Sequence, residues 1–209
     1  MIGLRALTVF AAWIAAASVQ AASPGYHIVD RIAGPDGGWD YVRVDAANNR
    51  VLVAHGGSVM AVDLATKAVT PGLAPGARLH DAMPVSGTEM LVTNGGSDTA
   101  VFADARTGAT LATVKTGKGP DAAAFDAKSG LVLVMDHAGG DITLIDAKTR
   151  TAVGTIVVGG ELEAAAVDGA GKAFVNIEDK NQIAVIDLAA RKVLARYDLT
   201  GCDGPTGLA

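Results

Sequence analysis

Four acidic residues recur at near-constant spacing along this chain: Asp40, Asp81, Asp121 and Glu163, which lie 41, 40 and 42 residues apart. His80 stands beside the second of them. Carboxylates that a fold draws together raise one another's pKa and attract cations. Their oxygens would suit a hard divalent ion such as Ca²⁺. His80 would add a nitrogen ligand or a group that titrates near neutrality. The same recurrence fits a plainer duty, in which each acid accepts hydrogen bonds from loop amides. Spacing alone does not make residues forty apart into neighbours, so both readings stand at this point.

Other chemistry is thin. The remaining histidines are His27, His55 and His137. His55 and His137 open "HGG" and "HAGG", where a comparable stretch has Asn94. Asn and His both tolerate left-handed turn backbone, so a turn role is expected of these two. The lone Cys202 has no partner for an internal disulfide, and no histidine near it in sequence would activate a catalytic thiol. No G-x-S-x-G elbow, P-loop, H-E-x-x-H or C-x-x-C-H motif is present, and no catalytic residue is identified. With 17 Lys and Arg against 22 Asp and Glu, a net charge of −5 and no basic run, the chain lacks a nucleic-acid footprint.

The elements that must position these side chains come from an internal repeat. "VMAVDLATKAV", "AVFADARTGATLATV", "ITLIDAKTRTAVGTIVV" and "IAVIDLAARKVLARYDL" share one pattern: an apolar run ending in Asp, a short turn, then a second run. The aspartates are Asp63, Asp104, Asp146 and Asp187, spaced 41, 42 and 41. Ahead of each lie two more runs, as in "PDAAAFD" and "LVLVMD". Every unit therefore holds four strand-length segments, a to d in chain order, rich in Val, Ile and Ala and bounded by Gly, Asn or Asp. A glycine count of 26 with only 4% aromatic residues fits many tight turns between short strands. Four antiparallel strands in a unit of ~40–45 residues predict an all-β fold of β-propeller blades. The repeated Asp that ends segment c is expected to fix the c–d turn by accepting backbone amides.

"LVTNGG" (Leu91–Gly96), "LIDAKTRTAVGTIVVG" (Leu144–Gly159) and "VDG" (Val167–Gly169) resemble the repeat phrases of YVTN-type, YncE-like exported β-propellers. The resemblance runs from Tyr26 to Ala209, and its motif residues are structural. It implies seven blades around a channel, with segment a innermost and ligands met at the channel mouth. Asp40, Asp81, Asp121 and Glu163, with His80, would then ring that mouth as ligand-binding residues, and Thr206 would take the same place in a fifth unit. Proline is missing before Asp40 and Glu163, where the family often has it.

Arg5, the apolar run Ala6–Val19 and the small residues of Val19–Ala21 read as a signal peptide over residues 1–21, ahead of a propeller domain at 22–209. A periplasmic or secreted protein with no membrane span after cleavage is the expectation. "YHIVDRIAG" (Tyr26–Gly34) resembles a d segment and is expected to form an orphan outer strand; "GPTGLA" (Gly204–Ala209) reads as the start of a fifth blade. In this register the chain is expected to be a truncated copy of a longer propeller. The function expected is binding of an unidentified small ligand or protein partner, with no cofactor beyond a divalent cation. The alternative is a lactonase-type or quinoprotein-associated enzyme whose site is completed by further blades.

Overall fold

A computed structural model describes residues 25–209. The signal peptide expected over residues 1–21 lies outside them. The chain divides after Ile32, and the architecture below belongs to the unit Ala33–Ala209.

Sixteen strands form four sheets of four. The first holds β1 (Val42–Asp45), β2 (Arg50–His55), β3 (Ser58–Asp63) and β4 (Val69–Pro75). The second holds β5 (Leu79–Pro84), β6 (Glu89–Asn94), β7 (Thr99–Asp104) and β8 (Thr110–Lys115). The third holds β9 (Pro120–Asp126), β10 (Leu131–Asp136), β11 (Asp141–Asp146) and β12 (Thr151–Val157). The fourth holds β13 (Leu162–Val167), β14 (Lys172–Ile177), β15 (Gln182–Asp187) and β16 (Lys192–Asp198). Each sheet is an antiparallel meander in chain order, because its connections are hairpin turns too short for a crossover. The expected blades are therefore present, and their b and c strands coincide with the repeat.

Sheets follow one another side by side, with the inner strands β1, β5, β9 and β13 in sequential contact. Their interfaces make the core. Between the third and fourth sheets Leu133, Leu144, Ile156, Leu162 and Ile177 are buried; between the first and second, Leu52, Met90 and Leu79. Burying each such side chain stabilises by about 1.5–3 kcal/mol. The middle strands are covered on both faces, which is why they read as unbroken apolar runs. The outer strands are mostly exposed, as in β8 and β12. Inner strands use alanine (Ala122, Ala123, Ala164, Ala165), whose small side chain lets them converge.

The repeated aspartates do what the sequence predicted. Asp63 Oδ1 accepts from the amides of Ala65 and Thr66 and from the Thr66 hydroxyl, at 2.7–2.9 Å. Asp104 repeats the set with Arg106 and Thr107, Asp146 bonds Thr149, and Asp187 bonds the Ala190 amide at 2.8 Å. One residue past each set the backbone is left-handed, at Lys67, Gly108, Arg150 and Arg191.

One terminal segment differs from expectation. Tyr26–Gly34 forms no strand. An outer strand needs the free edge of a c strand, and β3, β7, β11 and β15 each already pair with a d strand of their own. Residues 199–209 also form no strand, though Pro205 is buried and the Gly204 amide donates to Asn181 Oδ1 at 2.9 Å. Cys202 is free and exposed. Among the described residues no helix is long and apolar enough to cross a membrane.

Candidate binding site at the channel mouth

Each inner strand enters its sheet through a β-bulge. In the second sheet Leu79 pairs with Asn94 and Ala82 with Val92, so His80 and Asp81 together face the single residue Thr93. Asp121 and Ala122 occupy the same place in the third sheet, and Glu163 and Ala164 in the fourth. In the first, Asp40 and Tyr41 both bond Ala54. Bulges re-aim a side chain out of the strand's alternation. Here the first bulge residue of every blade, Asp40, His80, Asp121 and Glu163, lines one cavity of about 590 Å³. Tyr41, Arg78 and His137 complete its ionisable wall, and Thr206 and Gly207 border it.

This placement corrects one member of the predicted acidic ring. Asp81 is the second bulge residue and does not line the cavity. It is fully buried, where it accepts from Arg43 at 2.9 and 2.5 Å and from the Ala123 amide at 2.9 Å. Arg43 also donates to the Ala123 carbonyl at 3.0 Å, so the pair ties the first three blades together. The physical reason is the bulge: a one-residue offset turns a strand side chain to the other face. The place given to Asp81 belongs to its neighbour His80.

The remaining predicted residues are brought together around one cavity, His80 with Asp40 and Asp121, and Glu163 with Tyr41 and His137. His80 Nδ1 lies 2.8 Å from Asp40 Oδ2 and 3.9 Å from Asp121 Oδ1. Tyr41 donates its hydroxyl to Glu163 Oε2 at 2.9 Å and reaches the Thr206 carbonyl at 3.3 Å. His137 Nδ1 sits 3.2 Å from Glu163 Oε1 and 3.2 Å from the Leu162 carbonyl. Burial pushes Asp121 up to about 6; the nearby Asp40 and Asp81 charges add to this, while His80 and His137 oppose it. Burial likewise lifts Glu163 to about 7, with Asp121 and Glu178 adding and the Tyr41 bond opposing. Tyr41 is raised by burial and then by the Glu163 charge, so it stays a neutral donor. The mouth thus holds carboxylates that are costly to ionise alone and that an incoming cation would favour in their charged form.

Sequence reasoning missed Tyr41 and His137 as wall residues. His137 does lie in its b–c turn, as expected, although neither it nor His55 has a positive φ. His55 instead bonds the Pro35 carbonyl at 3.1 Å and packs edge-on against Trp39. A topological signal was available for His137. Strand a leaves the mouth and strand b returns to it, so every b–c turn lies at the same end as the bulges.

No family model matches this sequence, and no curated protein matches it. Solved structures do. Hydrazine synthase of Kuenenia stuttgartiensis superposes with a TM-score of 0.66 at 18% identity, over 81% of this chain and 52% of that one. Dihydro-heme d1 dehydrogenase NirN in complex with DHE gives 0.62 at 15% identity, over 81% and 39%. Apo AztD from Citrobacter koseri gives 0.56 at 12%, over 80% and 48%. All three are β-propeller proteins. The chain has a β-propeller fold. Its four blades span between 39% and 52% of the length of these structures. At such identities the likeness concerns fold and leaves activity open.

Proposed function

We propose that this chain belongs to an exported, YVTN-type binding propeller that takes a small cationic ligand at its channel mouth. The observation that supports this is convergence: Asp40, His80, Asp121, His137 and Glu163, from four blades, line one cavity. Elsewhere the inner strands largely present alkyl side chains to one another. Concave sites with a few convergent polar groups are where propellers and barrels meet small ligands. Export is supported by the apolar segment after Arg5 and the small residues that follow it.

One arrangement favours an enzymatic reading. Glu163 sits between the Tyr41 hydroxyl and His137 with its pKa near 7, which suits general acid–base work such as lactone hydrolysis. A single variant pair addresses both readings. Asp121→Asn with Glu163→Gln is expected to weaken binding of spermidine, used as a generic small polycation, by at least tenfold in isothermal titration. Unchanged affinity would defeat the binding proposal. Lactone turnover that the wild type shows and the double variant lacks would move the assignment to the enzyme.

A further inference from the structure

We propose that the mouth holds one divalent transition-metal ion of the Zn²⁺ class, ligated by Asp40 Oδ2, His80 Nδ1 and Asp121 Oδ1. This rests on the reading of the mouth as a cation-binding site and names the cation.

The three residues offer ligand atoms that all lie within 4.8 Å of one another. A tetrahedral ion with bonds of ~2.0–2.2 Å sets its ligands about 3.3–3.5 Å apart. The His80–Asp40 and His80–Asp121 separations, 2.8 and 3.9 Å, bracket that edge, so small side-chain movements would seat an ion. The imidazole is held for the task. A Cβ added at Gly95 would come within 2.7 Å of His80 Nε2, so the glycine leaves room for this edge of the ring while Nδ1 faces the acids. Asp121 opens onto the cavity and is free to turn toward an ion without breaking a bond. Its side chain is only 13% exposed, yet among the described residues it accepts no hydrogen bond, and His80 Nδ1 is beyond hydrogen-bond reach.

The second triad in the cavity, Asp121, His137 and Glu163, is less suited. An ion there would have to displace two bonds to groups outside the triad, His137 Nδ1 to the Leu162 carbonyl and the Tyr41 hydroxyl to Glu163, whereas in the first triad it replaces only the proton shared between the two ligands His80 Nδ1 and Asp40 Oδ2. One imidazole with two carboxylates selects Zn²⁺ and its neighbours over Ca²⁺ or Mg²⁺, which take oxygen ligands throughout. Arg78 is the fixed positive charge in the same wall, set against the two aspartate ligands and Glu163. Three protein ligands leave a fourth position open toward the cavity, free for water or a second ligand.

The test is isothermal titration of the full chain with Zn²⁺ and, separately, with Ca²⁺. The expected result is one Zn²⁺ per chain, bound at least a hundredfold more tightly than Ca²⁺. His80→Ala and Asp121→Asn should each lose more than tenfold in Zn²⁺ affinity, while His55→Gln, outside the cavity, changes it less than threefold. Equal Ca²⁺ affinity, or unchanged Zn²⁺ affinity in both ligand variants, would overturn the proposal. Should a variant not fold, X-ray absorption of wild type loaded with one equivalent of Zn²⁺ decides. One imidazole with oxygen ligands is expected, and a shell without imidazole overturns it. Spermidine separates the two levels. Loss of the metal result alone sinks this inference, whereas loss of both sinks the binding function as well.

Discussion

The two ends of the propeller use acidic residues in opposite ways. At the c–d turns, Asp63, Asp104, Asp146 and Asp187 hold one position in every blade and accept hydrogen bonds only from their own turn, from a threonine hydroxyl in three of them and from local amides in all four. Those bonds hold Asp63, Asp104 and Asp146 below the usual carboxylate range. At the mouth, the repeated position changes from blade to blade: Asp40, His80, Asp121, Glu163. These side chains reach across blades, and burial raises the pKa of Asp121 and Glu163. Uniformity across the repeat marks what every blade needs in order to fold. Variation at a position the fold keeps aiming into one cavity marks what the assembled molecule can do.

The sharpest way to break this contrast is at Gly108. It is the turn-end position where other blades carry Lys67, Arg150 and Arg191 in the same left-handed conformation. A Cβ at Gly108 would lie 1.7 Å from the Leu73 carbonyl oxygen of the preceding blade. Gly108→Ala is therefore expected to destabilise the protein by on the order of 3 kcal/mol, from backbone strain and forced repacking together. Chemical denaturation measures it. A loss no larger than a few tenths would mean that the turn end tolerates variation as the mouth does.

Much of this was legible in the sequence. The b strands and the ends of the c strands match the apolar runs residue for residue, since six-residue runs of Val, Ile, Leu and Ala between turn residues leave little choice. The turn aspartates were legible because their partners lie two or three residues away. The mouth was legible only to within one residue. A bulge adds a residue without changing the repeat length, so counting cannot tell His80 from Asp81. Both are polar, and the acidic pattern drew the choice to Asp81. The Tyr41–Glu163 and Arg43–Asp81 bonds span 122 and 38 residues and join different blades, so they exist only once the blades are stacked.

The contrast also predicts how stability varies with pH. The turn aspartates, with lowered pKa, contribute stability above the ordinary carboxylate range and lose it as pH falls through their depressed values. Asp121, Glu163 and the buried Asp136 have raised values, about 6, 7 and 7, so the protons they retain when folded stabilise at low pH. That contribution is lost as pH rises through those values. Melting temperature should therefore peak at about pH 4, the ordinary carboxylate range, and fall until about pH 7. Asp136 is the clearest lever. It is fully buried, its Oδ1 has no hydrogen-bond partner, and the matching residue of the second blade is Asn94. Burial, with the Asp141 charge adding, keeps it protonated against the opposing Thr143 bond. Asp136→Asn is expected to stabilise by about 1–3 kcal/mol at pH 8 and to be near neutral at about pH 4. Equal effects at both pH values would remove Asp136 from the group with raised pKa.

The smallest expected effect separates the blades at the turn end itself. Asp63, Asp104 and Asp146 each bind a threonine three residues on, through both amide and hydroxyl. The fourth blade has Ala190 in that place, and Asp187 keeps only the amide bond. A carboxylate with one local partner holds its turn less firmly than one with two or three. Asp187→Ala should lower the melting temperature less than Asp63→Ala does, and Ala190→Thr should raise it slightly by restoring the hydroxyl contact. Thermal melts of the three variants at pH 7 would show the order. If Asp187→Ala proved the most damaging, the fourth-blade aspartate would have a duty beyond its turn, and uniform position would no longer identify a purely structural residue.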